Sequence, residues 1–191
     1  IEDYKDYYLE YFKKFHELAI GEYVDLSFGQ DTPNGTSSSL ESCIAYANYI
    51  NDPAASILNA GAGASSWMFR EFFKDVTCID PNEKYLNFVK TICGGANYHH
   101  GFKDIYMLSY YEPIPFDHVY FDYGNIERLP YLGSAIDLAR KSIYVDDVDN
   151  RSCAVPYRDT VIRLCEAMGL KWFDCVEAKD EYERWGIIIE K

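Results

Sequence analysis

Four aspartates and one pair of glycines hold most of the chemistry available to this sequence. Asp80 ends the apolar run VTCI, Asp122 ends FDHVYF, Asp146 and Asp147 end SIYV, and Gly61 and Gly63 break the run ILNAGAGASSWMFREFF over residues 57–73. Glycine lets a backbone turn tightly and lets a ligand approach without a Cβ in the way, and a helix starting near Ser65 offers N–H groups at its first turn. Asn59, Ala60, Gly61, Ala62, Gly63 and Ser65 therefore read as a binding surface made of backbone. Asp80 stands seventeen residues after Gly63. In a parallel sheet the carboxyl ends of the first two strands are neighbours, so Asp80 can accept hydrogen bonds from both hydroxyls of a ribose lying across the turn. The competing reading has Asp80 only capping the helix that begins around Pro81, Asn82 and Glu83.

Asp122, Asp146 and Asp147 would meet at the same edge of the sheet. Three anions held together repel unless a proton or a cation relieves them. Hard oxygen ligands favour Mg²⁺ or Ca²⁺, so the three acids are candidate metal ligands. A bound ion would lower the pKa of a substrate hydroxyl, with Asp122 or Asp147 as catalytic base. Alternatively Asp147, Asp149 and Asn150 form a solvated loop and cap. His99 and His100, in ANYHHG, offer a second candidate base. Adjacent strand residues face opposite ways, so only one of the two can point at the site. Upstream, Gln30 and the residues from Thr36 to Ser38 are placed to close over the ligand, or to form a plain capping loop.

The elements that must position these groups follow from periodicity. Residues 2–19 carry a helical apolar stripe of Leu9, Phe12, Phe15, His16 and Ala19, and SFGQDTPNGTSSS over 27–39 is a loop whose serines cap a helix from about 39 to 51. From Ala55 onward SILNA, SSWMFREFF, VTCID and EKYLNFVKTIC alternate short apolar runs with helical patterns, the signature of βαβ units and a parallel sheet. FDHVYFD over 116–122, a segment to Arg140, SIYVDD, a helix near 156–168 closed by Gly169, and WFDCVEA over 172–178 continue the pattern. The polar loop AKDEYER leads so quickly into WGIIIEK that only an antiparallel hairpin can join them. We expect one domain over 1–191, with a helical cap over 1–53 lying across the sheet edge and a ligand-binding core over 54–191.

The chain has 191 residues, a formal charge of −13 and a pI near 4.6, and no Lys/Arg cluster interleaved with aromatics. That field opposes polyanions, so nucleic acid and anionic membranes are excluded as expected partners, leaving a small molecule. No apolar stretch reaches the roughly 18–20 residues that span a bilayer, and no signal-peptide pattern opens the sequence, so a soluble cytoplasmic protein is expected. Six scattered cysteines without CxxC spacing read as reduced core residues, and the eighteen tyrosines as packing.

Taken in order, the glycine turn, the acid after the second strand, FDHVYFD, the strand ending in two aspartates and the terminal hairpin resemble the class I S-adenosylmethionine-dependent methyltransferases. The resemblance covers about residues 55–191, and GAGASSW is similar to a subgroup with Gly-x-Gly-x-Ser-Thr in that turn. It implies a Rossmann-like α/β fold, a seven-stranded sheet that is mostly parallel with an antiparallel strand at its end. It implies further that Gly61 and Gly63 lie against the methionine part of the cofactor, that Asp80 holds its ribose, and that Phe102 and Asp104 follow the third strand where the family often contacts adenine. The acids resemble those of metal-dependent O-methyltransferases, which implies methyl transfer to a small-molecule hydroxyl, with S-adenosyl-L-methionine and Mg²⁺ as cofactors and a homo-oligomer as an option. The chain departs from the pattern at Asn59, where many members carry an acid, and at Ser65, where a third glycine is common. Those departures keep a non-catalytic nucleoside-binding module open, and aminopropyl transfer is another use of the same cofactor. A Rossmann dehydrogenase fits less well, because its pyrophosphate needs the third glycine and its sheet lacks the terminal hairpin.

Overall fold

The computed structural model describes residues 6, 9–10, 13–15, 17–18, 38–99, 105, 108, 110, 116–123, 128–148, 157–180 and 183–191. The first complete helix, α1 (Leu40–Ile50), starts where Ser39 accepts the backbone N–H of Ser42 on its hydroxyl, and it ends at Asn51, whose φ of 43° closes the last turn. These are the usual side-chain cap and left-handed stop. There follow β1 (Ser56–Ala60), α2 (Ala64–Phe72), β2 (Asp75–Ile79), α3 (Glu83–Cys93) and β3 (Asn97–His99). The second half comprises β4 (Phe116–Phe121), α4 (Arg128–Leu138), β5 (Ala139–Val145), α5 (Tyr157–Met168), β6 (Lys171–Asp174), a single 3₁₀ turn (Val176–Ala178) and β7 (Ile187–Glu190).

The seven strands form one sheet in the order β3-β2-β1-β4-β5-β7-β6. All pairs are parallel except those of β7, which runs antiparallel to both β5 and β6. The short polar connection between the last two runs thus has the consequence expected of it. β6 is shorter than WFDCVEA suggests, because Cys175 leaves the ladder and the chain makes its 3₁₀ turn. β5 starts earlier, at Ala139, paired with Phe116 across a register shift in β4.

Strand alternation divides the core in two. One face of the sheet gives Ile57, Cys78, Tyr120, Tyr144 and Ile188 to a cluster shared with α1, α2 and α3. The other gives Leu58, Ile79, Val119, Phe121, Ile143, Val145 and Ile189 to a cluster shared with α4 and α5. Side chains two residues apart share a face, so His118 and Tyr120 of β4 and Ser142 and Tyr144 of β5 look toward α1. That helix lies on the sheet face above β4 and β5, where Tyr46 meets Tyr144 and Tyr120 ring to ring, rather than across the sheet edge as expected. In the N-terminal stripe Phe15 is fully buried beside Phe88, whereas Leu9 is exposed. Phe12, His16 and Ala19 lie outside the described residues. No helix among the described residues is long and apolar enough to cross a membrane.

Candidate functional site

The sheet reverses its order of growth between β1 and β4, and open α/β sheets bind ligands outside the carboxyl ends of strands at such a point. Register brings the candidate residues there. Ala60 pairs with Ile79 on one side and with Phe121 on the other, so Asp80, Gly61 and Asp122 are the next residues at three adjacent strand ends. The Asp122 charge is near enough to act on the Asp80 carboxyl.

Gly61 is required, but for a reason the sequence alone does not show. Its φ is +97°, and a Cβ there would lie 2.0 Å from the carbonyl oxygen of Asp122. The bare side of Gly61 is therefore filled by the chain's own backbone, which corrects the expectation that a ligand rests against it. Gly63 is extended and a Cβ there would meet only the Tyr85 hydroxyl, at 3.4 Å. The turn is internally tied: the N–H groups of Gly61 and Ala62 donate to the Ile79 carbonyl, and that of Gly63 to the Ser66 hydroxyl. Ala60 and Ala62 are buried.

Asn59 is fully buried and its amide donates to the hydroxyls of Ser65, at 3.0 Å, and Ser66, at 2.9 Å. The positions where the sequence departs from the common pattern thus belong to one small network that staples β1 to the first turn of α2. Asn59 and Ser65 shape the cradle from beneath.

Asp80 accepts the N–H of Asn82 at 2.8 Å, and Asn82 in turn caps α3 by accepting the N–H of Tyr85 at 3.0 Å. The helix has its own cap, so capping alone does not account for Asp80. Burial pushes the Asp80 carboxyl up to about 7, against the pull of backbone N–H groups, and the Asp122 charge adds to the rise. Two ribose hydroxyls donating to this carboxylate would relieve that strain, since hydrogen bonds to a charged form favour it. The residues present thus fit a nucleoside. Pro81 is exposed beside it.

Asp122 and the two acids after β5 do not come together as a metal centre. Asp122 accepts the Ser38 hydroxyl at 2.6 Å. Asp146 is almost completely buried and accepts Tyr120 Oη at 2.7 Å and Ser42 Oγ at 3.1 Å. Asp147, on the opposite side of the chain with a φ of 51°, faces Arg184 at 3.8 Å, and Arg184 is also held by Asp180. Burial alone would lower the Arg184 pKa, but Asp147 and Asp180 raise it above its ordinary value. Repulsion among the acids is relieved by hydroxyl donors and a guanidinium, and among the described residues no group of three or more His, Cys, Asp or Glu could hold an ion. The described residues thus do not bring Asp122, Asp146 and Asp147 together as the expected cation site. β5 ends at Val145: Asp146 turns inward to Tyr120 and Ser42, while the left-handed backbone at Asp147 carries its carboxylate to Arg184.

The structure also supplies groups that composition hid. Tyr46, Tyr120 and Tyr144 are fully buried, yet each hydroxyl is bonded: Tyr46 to Ser142, Tyr120 to Asp146 and Tyr144 to Ser42. Tyr120 and Tyr144 are paired across β4 and β5, with Tyr46 of α1 against both rings. The five described cysteines are free and buried. His100, Phe102, Asp104, Gln30, Thr36, Asp149 and Asn150 lie outside the described residues, as does the side chain of His99.

No protein-family model matches the chain, and no curated protein matches it in sequence. Solved structures match its architecture. The O-methyltransferase TomG from Streptomyces achromogenes, involved in tomaymycin synthesis and solved in complex with SAM, superposes with a TM-score of 0.63 at 16% identity over 91% of this chain and 87% of its own. Magnesium protoporphyrin IX methyltransferase (ChlM) from Synechocystis, with bound SAM, gives 0.61 at 14% identity over 79% and 77%. An O-methyltransferase from Bacillus cereus in complex with SAH gives 0.54 at 16% identity over 94% and 98%. Strand order, the reversed β7 and these superpositions agree that the chain has the fold of the class I S-adenosylmethionine-dependent methyltransferases.

Proposed function

We propose that the protein is an S-adenosylmethionine-dependent methyltransferase acting on a hydroxyl of a small molecule. The observation that carries this is the alignment of Asp80, the Gly61 turn and Asp122 at the ends of β2, β1 and β4, where the sheet changes direction. S-adenosylmethionine supplies a methyl group on a sulfonium sulfur, ready for in-line displacement. Asp80 holds the ribose, the backbone from Asn59 to Gly63 with Ser65 shapes the cradle, and Asp122 orients the acceptor hydroxyl and takes its proton. A carboxylate has about four lone-pair sites, so Asp122 can accept from Ser38 and from an acceptor together. Most of the rate enhancement then comes from positioning, with proton removal added to it. The acidic surface supports a small acceptor over nucleic acid or an anionic membrane.

A second reading, a nucleoside-binding module without turnover, is favoured by Asn59, which is neutral and committed to two serines. Calorimetry with S-adenosylmethionine and S-adenosylhomocysteine, followed by mass spectrometry across a panel of hydroxylated acceptors, tests both. Binding of both nucleosides with a product 14 Da heavier, the mass a methyl group adds, supports the transferase. Binding without any product supports the module, a product of another mass points to transfer of a different group from the same sulfonium, and binding of neither removes all three.

A further inference from the structure

Three hydroxyls spaced four residues apart run along the side of α1 that faces the sheet. Ser38, just before the helix, donates to Asp122 Oδ2 at 2.6 Å; Ser42 donates to Asp146 Oδ1 at 3.1 Å; and Tyr46 donates to the Ser142 carbonyl at 3.0 Å. Tyr144 donates to Ser42 and Tyr120 to Asp146, so the middle of this seam is closed from below by β4 and β5. At its far end His118 Nδ1 shares the Ser142 hydroxyl at 2.7 Å. Apolar residues of α1 pack beside the seam, but the seam itself is polar and nearly all buried.

The upper end of the seam touches the candidate site. Asp122 donates its N–H to the Ala60 carbonyl at 2.8 Å and lays its own carbonyl in the space a Cβ on Gly61 would take, so its backbone is fixed to the cofactor turn. Its side chain is held by Ser38, which is itself buried. A short hydroxyl-to-carboxylate bond belongs to the stronger, charge-assisted class. We infer that Ser38 is a positioning residue for Asp122, and that α1, docked by this seam of hydroxyls, holds that carboxylate in place over the glycine turn. Without the Ser38 hydroxyl the Asp122 carboxylate loses a short donor that fixes its charge relative to Asp80. The inference rests on the nucleoside pocket proposed above.

The full chain is titrated calorimetrically with S-adenosylhomocysteine as wild type, Ser38→Ala and Ser38→Thr, with amide hydrogen exchange over residues 40–50 followed without ligand. Loss of one charge-assisted bond predicts affinity about tenfold weaker for Ser38→Ala, and Ser38→Thr within about twofold of wild type, because only threonine keeps the donor. Exchange in 40–50 should quicken in Ser38→Ala while β4 and β5 stay protected. Unchanged affinity in Ser38→Ala overturns the inference. Equal weakening in both variants with faster exchange through the whole sheet also overturns it, as that is the mark of a merely structural residue. If the wild type binds no nucleoside, the functional proposal falls. The seam is then judged on exchange alone, with unchanged protection of 40–50 in Ser38→Ala overturning it.

Discussion

Replacing Asp80 with asparagine should make the protein more stable and less able to bind its ligand. Asparagine keeps an oxygen for the Asn82 N–H and removes only the ionisable group. In the folded chain burial, aided by Asp122, lifts the Asp80 carboxyl from its ordinary 3.8 to about 7. Between those values the native state holds a proton that the unfolded chain has released, so stability falls as pH rises through the window and levels off above it. Each tenfold change in the equilibrium is about 1.4 kcal/mol, which caps the cost of ionising Asp80 at about 4 kcal/mol. Partial solvent access to the carboxylate brings the expected figure nearer to about 2 kcal/mol. Urea unfolding of wild type and Asp80→Asn at pH 4, 5, 6, 7 and 8 isolates this group, because the other carboxylates are common to both proteins. The variant should match wild type near pH 4 and exceed it by about 2 kcal/mol at pH 8, while its affinity for S-adenosylhomocysteine drops about tenfold or more with the loss of a charged acceptor. A difference in stability that is flat with pH, or a variant less stable at pH 8, would refute the claim that Asp80 is a strained acid kept for a ligand.

Gly61→Ala must accommodate a Cβ 2.0 Å from the Asp122 carbonyl oxygen at a φ of +97°, so it should cost at least about 3 kcal/mol in urea unfolding and abolish nucleoside binding. Asp146→Ala strands the hydroxyls of Tyr120 and Ser42 in the core and should cost about 3 kcal/mol, an effect that added Mg²⁺ leaves unchanged. Asp122→Asn should lower kcat about a hundredfold or more while nucleoside binding persists, and chelation with EDTA should leave wild-type turnover intact. Dependence on a divalent ion would restore the carboxylate cluster as a metal site.

The order of elements was legible because its causes are local. Alternating periods of two and 3.6 announced the βαβ units, and the six residues KDEYER between the last two runs left room only for a hairpin, which became β6 and β7. The direction of each carboxylate was less accessible. The sequence places Asp146 and Asp147 at one strand end, but Asp146 turns in to Tyr120 and Ser42, and a left-handed backbone at Asp147 turns it to Arg184, a residue on the connection before β7. Gly61 was recognised as necessary, although what needs the space is the backbone of Asp122, just past the end of β4. Asn59 and Ser65 were noted as departures, and only the fold shows that they bond to each other. Ser38, Ser42 and Tyr46 carried a visible four-residue spacing, whose meaning depends on the acids that β4 and β5 set beneath them.

The most direct test of the nucleoside pocket is a crystal structure of the full chain with S-adenosylhomocysteine. Density for the ribose should lie with both hydroxyls on the Asp80 carboxylate and the amino-acid tail along the turn between Gly61 and Gly63, with Asp122 beside the sulfur. A nucleoside seated anywhere else, or an Asp80 carboxylate that makes no contact with it, would contradict the proposed site.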